Sequence, residues 1–219
     1  MLITIMRPIL EIYKQYNIPP KLEEHMLTVA GVALWIGEHI EVPLDTDRVV
    51  TAALLHDMGN LAKFKFDSDL YPISDEEREY WRRAQLEFFH KYGRDEYEAT
   101  LRIVRELGMP DTVTSLLGSA GFKSACLVLE GANWEYKVLD YSDMRVGPYG
   151  IISLDERLLD LKKRYGEKVV VETKEEAEKQ SECLRMLEKQ LFEKISQDPA
   201  AISSETIFSY RERVRARNI

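Results

Sequence analysis

Val49-Val50-Thr51-Ala52-Ala53-Leu54-Leu55-His56-Asp57-Met58-Gly59-Asn60 is the stretch whose reading decides the fold. An almost wholly apolar segment runs into a polar pair, and a glycine follows two residues later. A helix that is apolar all round belongs in a core. A carboxylate at the end of such a segment is costly unless it is paired, hydrogen-bonded or bound to a metal. His56 and Asp57 are both good metal ligands. Neighbours on a helix point about 100° apart, so both side chains can bend onto one ion beyond the helix end. Gly59 is expected in the left-handed conformation that stops a helix. From the pair alone, the alternative is a buried histidine hydrogen-bonded to the neighbouring aspartate.

Upstream, Asp45-Thr46-Asp47 supplies acceptors to cap this central helix, 47–57. The helix before it, 20–40, carries Met26, Val29, Ala30, Ala33 and Leu34 on its buried side. His25 shares a face with Val29, Val32 and Ile36, so it is not on the solvent side. One polar ring on a buried face needs a partner. It is either a satisfied core histidine or a ligand. His39, among Glu38 and Glu41, reads as a solvated residue at the helix C-terminus. Asn17-Ile18-Pro19-Pro20 separates this helix from a first one at 2–15, whose apolar positions are Ile5, Ile9, Ile12 and Tyr13.

Downstream, Leu61 to Asp67 sets Lys63 and Lys65 between aromatics directly beyond the His-Asp pair. The loop either presents a lysine to a phosphate or holds solvated lysines beside packed phenylalanines. Ser74-Asp75-Glu76-Glu77 is a capping box for a charged helix, 75–92, with His90 near its end as a structural residue. Helices at 95–107 and 111–117 follow, then a turn from Gly118 to Gly121 and a segment reaching Leu129. Trp134 to Val146 is buried by Val138, Leu139 and Tyr141. It carries Asp140 and Asp143 three apart on one face. Ser153-Leu154-Asp155-Glu156 opens a helix to Tyr165, and Val169 to Val171 reads as extended. A helix from Thr173 to Ser196 bears the stripe Leu184, Leu187, Leu191 and Ile195, which suits packing on the domain and leaves a homodimer open. The basic end, Arg211 to Arg217, complements a helix dipole. Strand signals are nearly absent, so the chain is expected to be all-α: a helical domain over 1–165 and a C-terminal helical extension over 166–219 packed on it.

The chain has 219 residues and a net charge of −8. That balance argues against nucleic-acid binding, although a local basic pocket can still take a small anion. Cys126 and Cys183 form no metal or redox motif and read as reduced core residues of a cytoplasmic protein. Met1 to Met6 is too short and too lightly charged for a signal peptide. No apolar run is long enough for a membrane.

Three separated helices thus offer His25, His56-Asp57 and Asp143. Two imidazoles and two carboxylates suit one divalent transition metal, Mn, Fe, Co, Ni or Zn. Glu24-His25-Met26-Leu27-Thr28-Val29-Ala30, Ala52 to Asn60, and Leu139-Asp140-Tyr141-Ser142-Asp143-Met144-Arg145-Val146 together resemble the HD superfamily of metal-dependent phosphohydrolases, across residues 20–160. The resemblance implies a helical bundle, hydrolysis of a phosphate ester or anhydride, often of a nucleotide, and the ligand set His25, His56, Asp57 and Asp143. Asp140 competes with Asp143 for the last place. Asp57 would also steer the attacking water, and Lys63, Lys65 and Arg145 would neutralise the phosphate. Only His90 lies between the pair and the final aspartate, so one metal is expected rather than two. The competing expectation is a non-catalytic metal- or nucleotide-binding sensor.

Overall fold

The computed structural model describes residues 6–66, 73–118, 121–169 and 173–219, with the side chains of 165–169 outside that description. Ile5, Asp67, residues 119–120 of the expected turn and residues 170–171 of the expected extended piece therefore lie outside the described residues. Among those described, the chain forms eleven α-helices and one small hairpin.

The first helix, α1 (Ile9–Gln15), ends where Asn17 takes a positive φ and Pro19 and Pro20 follow. Proline at the first helical position has its fixed φ suited to the entry and no donor to waste, and α2 (Pro20–His39) starts there. The Asp45 side chain accepts from Arg48 N at 3.0 Å and caps α3 (Thr46–Leu55). The Ser74–Glu77 capping box opens α4 (Asp75–Tyr92), and Asp95 caps α5 (Glu96–Glu106). Two short helices follow, α6 (Asp111–Leu117) and α7 (Ala125–Glu130). Asn133 caps α8 (Trp134–Met144) by accepting from Glu135 N at 2.8 Å. The hairpin pairs β1 (Val146–Gly147) with β2 (Gly150–Ile151), in the register Val146↔Ile151 and Gly147↔Gly150. Then come α9 (Leu154–Val169), α10 (Lys174–Phe192) and α11 (Ser204–Arg215). Val169, expected extended, is the last residue of α9.

The centre of the bundle is α2, with α3, α8, the hairpin and α11 all packed on it. Every residue from Met26 to Ile36 is buried. Sequence periodicity predicts one buried side; α11 covers the opposite one. Gly31 lets it in, since a Cβ there would lie 3.1 Å from Arg211 N and from Ile207 Cγ2. The basic end of the chain is spent on this contact. Arg211 pairs with Glu24 at 2.6 Å, Arg215 with Glu23 at 3.4 Å and Arg217 with Asp47 at 2.7 Å, while Arg213 pairs with Glu38.

The α10 stripe is also internal: Leu184, Leu187 and Leu191 are fully buried where α10 meets α7, α8 and α9. Backbone bonds from Arg7 N to Ile219 O (2.8 Å) and from Glu41 N to Lys194 O (2.8 Å) stitch the C-terminal third to the rest.

Cys126 and Cys183 correct the sequence reading. They are joined as a disulfide between α7 and α10, with their Cα atoms 5.0 Å apart. The two helices lie side by side, and that tertiary proximity leaves no trace in the spacing of the two residues. The reduced-thiol argument for a cytoplasmic protein lapses with this finding. No single helix among the described residues is long and apolar enough to cross a membrane.

Candidate metal centre

The apolar helix α3 ends at Leu55, two residues earlier than its sequence suggests. His56 stands at its C-cap and the chain turns through Asp57, Met58 and Gly59. Met58 N donates to Leu55 O at 3.2 Å, and Asn60 N to Asp57 O at 2.9 Å. This turn carries both polar side chains off the helix end toward α2 and α8.

Gly59 makes the turn possible, for a reason other than the expected one. Its φ is −85°, an ordinary right-handed value. What demands glycine is the approach of α5: a Cβ would lie 1.9 Å from Glu96 O and 2.7 Å from Thr100 N. Gly59 N donates to Thr100 Oγ1 at 2.9 Å, and that hydroxyl donates to Glu96 O at 2.8 Å. Thr100 is 2% exposed, so the lock is dry. Gly59→Ala is expected to cost about 3 kcal/mol, the upper end for overpacking a tight contact. Urea unfolding would measure this, and an unchanged midpoint would contradict the close packing.

Four side chains converge. His25 Nε2 lies 3.1 Å from Asp143 Oδ1 and 3.7 Å from Asp57 Oδ2. His56 Nε2 lies 3.7 Å from each of the same two oxygens. One ligand atom each from His25, His56 and Asp143 fall within 4.8 Å of one another. The two imidazole centroids are 5.3 Å apart. Side-chain exposure falls from 24% for Asp57 and 20% for His25 to 6% for His56. The cluster therefore opens to solvent on the Asp57 and His25 side.

Ring orientation favours a cation. Ala53 O can only accept, so His56 Nδ1 donates to it, at 2.8 Å. That leaves Nε2 facing the carboxylates, buried and, among the described residues, without a hydrogen-bond partner. A buried polar atom in that state needs a reason. Burial works against a charged His56 ring, but Asp57 and Asp143 outweigh it and push its pKa up to about 9. Burial would likewise raise the Asp143 carboxyl, yet His25 and His56 hold it well below the usual carboxylate range. In the metal-free chain a proton thus supplies positive charge between two carboxylates. A divalent cation supplies more, and these N and O donors suit first-row transition metals.

Asp140, the other sequence candidate, does not join the cluster. Its side chain is fully buried, and Oδ1 accepts from Gly121 N at 2.7 Å. Arg145 corrects the sequence reading. It is 3% exposed, and its guanidinium donates to Ile152 O (2.7 Å), Tyr141 Oη (2.8 Å), Pro199 O and Ile202 O (3.1 Å each). It ties the end of α8 to the hairpin and to the approach of α11, with four of its five N–H donors engaged and the side chain buried. His90 is exposed on α4.

Lys63 and Lys65 are exposed on the segment that follows the turn. Lys63 Nζ lies 3.5 Å from Glu96 Oε1. Sequence reasoning overlooked Gln85 of α4, whose amide donates to Leu61 O (2.7 Å) and Phe64 O (3.0 Å) and so brackets Lys63. Phe66 stacks on Trp81 with centroids 5.9 Å apart. This segment is pinned to α4 on both sides of Lys63.

Residues 22–109, which include His25, His56 and Asp57, match the family model of the HD domain. No curated protein matches the chain, and no solved structure does.

Proposed function

We propose that this HD-domain chain binds one divalent transition metal through His25, His56, Asp57 and Asp143 and hydrolyses a phosphate ester or anhydride of a small phosphorylated metabolite, a nucleotide first among them. The carrying observation is His56 Nε2, buried, 3.7 Å from each of two carboxylates and without a hydrogen bond among the described residues. A bound cation of this kind lowers the pKa of its water and polarises a phosphoryl oxygen. Asp57 is the more exposed of the two carboxylates and stands on the open side, so it is placed to orient an incoming water. His56, held through Nδ1 by Ala53 O, keeps its ring orientation fixed. Lys63 and Lys65, both exposed, supply the positive charge for the phosphate, since Arg145 is buried and committed elsewhere.

A phosphate-release screen with Mn, Co and Ni tests this, run over p-nitrophenyl phosphate, its diester, and nucleoside mono-, di- and triphosphates. Turnover that requires the metal and stops with EDTA is expected. Lys63→Ala is expected to raise KM about tenfold, the loss of one charge-assisted hydrogen bond. Unchanged KM and kcat would remove Lys63 from the site. The withdrawal of Arg145 favours a second reading, a metal-loaded sensor. Stoichiometric nucleotide binding with no turnover on any substrate would select it.

A further inference from the structure

The geometry points to the Cys126–Cys183 disulfide as a redox latch that sets the metal affinity of the centre. This rests on the metal-centre reading. The path is short and every link is a described contact. Cys126 is the second residue of α7 and is bonded to Cys183 of α10. Both cysteines are half-buried, within reach of a small thiol. The chain enters α7 through a 3-10 turn, Phe122–Ser124, preceded by Gly121. Gly121 N donates to Asp140 Oδ1 at 2.7 Å. Asp140 stands on α8, one turn before the ligand Asp143.

Two observations make α7 the movable element. It has only six residues, and of these only Ala125 and Val128 are buried. A helix that short has no stability of its own in water. Besides the disulfide and its packing against α10 and α8, it is held by two hydrogen bonds, Cys126 N to Gln180 Oε1 (3.1 Å) and Lys137 Nζ to Leu129 O (2.8 Å). Asp140 gives the movement a consequence. Among the described residues its Oδ2 is buried with no hydrogen-bond partner, and the Gly121 N–H is the bond its carboxyl makes. If α7 loosens and takes Gly121 with it, a buried carboxyl loses that bond, and α8 must shift to find water or another donor for it. Asp143 moves with α8.

The redox step is ordinary thiol–disulfide exchange. A low-molecular-weight thiolate attacks one cysteine sulfur, the S–S bond breaks, and the other cysteine leaves as a thiolate. A second thiolate attacks the outer sulfur of the mixed disulfide and releases the first cysteine with a small-molecule disulfide. Two electrons enter the protein, and the two cysteine thiolates take up two protons.

Cobalt(II) titration, followed by its d–d absorption, tests the latch. Three samples are compared: oxidised protein, protein reduced and freed of reductant by anaerobic gel filtration, and the Cys126→Ser/Cys183→Ser variant. Alkylation by iodoacetamide reports the thiols, and far-UV circular dichroism reports the fold. Reduction is expected to weaken cobalt binding about tenfold, within the usual range of coupling between sites. The variant is expected to match the reduced protein, and glutathione disulfide is expected to restore the wild type alone. Equal affinity in all three samples overturns the latch and leaves the metal centre standing. No cobalt binding in any sample overturns both. Two alkylated cysteines in air-oxidised protein, or loss of the whole helical signal on reduction, also overturn it.

Discussion

His56→Ala is expected to empty the metal centre. Metal content should fall from about one first-row ion per chain to none, and the cobalt midpoint should rise by at least about 100-fold, more than loss of a residue that only orients a ligand. The variant removes the candidate ligand least exposed to solvent, at 6%, whose place water cannot readily take. It also leaves Asp57 and Asp143 facing each other with only His25 between them. A second readout separates this from misfolding. A ligand at 100 times its Kd stabilises the folded state by about 2.7 kcal/mol, so cobalt should raise the wild-type Tm and leave the variant's unchanged. A variant that still binds one ion with wild-type affinity would show that the four residues are a hydrogen-bonded cluster rather than a ligand set.

Asp140→Asn is expected to reshape stability against pH in the metal-free protein. Burial pushes the Asp140 carboxyl up to about 7; the Gly121 N–H opposes this, and the charge of Asp143 adds to it. The folded state therefore holds this proton more tightly than the unfolded chain does. A raised carboxyl contributes its stability in full below its unfolded pKa, and the contribution is lost as pH rises through the folded value. Between pH 4 and pH 8 the wild type should lose about 4 kcal/mol relative to the asparagine variant, from roughly three pKa units at 1.36 kcal/mol each. Asparagine keeps an oxygen for Gly121 N and cannot ionise. Urea midpoints at pH 4, 6 and 8 would show the two curves diverging as pH rises. Parallel curves would mean that the carboxyl is ionised throughout.

Local patterns in the sequence carry much of this structure. Capping residues such as Asp45, Ser74 and Thr173 mark helix starts because their hydrogen bonds close within three residues. His25 stands out because it shares a buried helical face, and His56 and Asp57 because they close an apolar helix with two polar groups. What the sequence hides depends on distant partners. Arg145 looks like a free cation beside a ligand, yet its acceptors at Pro199 and Ile202 lie more than fifty residues downstream. Gly59 looks like a helix stop, and only the arrival of α5 reveals the contact that excludes a side chain. The cysteine pair bridges 57 residues with no motif at either end.

The cover that α11 lays over α2 has a consequence for the order in which the protein is made. The helix bearing His25 is synthesised well before the helix that seals its side around Gly31. Chains are synthesised from the N-terminus, and contacts between distant segments are slow to form. Throughout that interval the nascent chain carries an unsealed apolar helix, the surface a chaperone would hold. Burial of α2 around Gly31 is thus a late event, completed when residues 204–215 close over a helix made well before them.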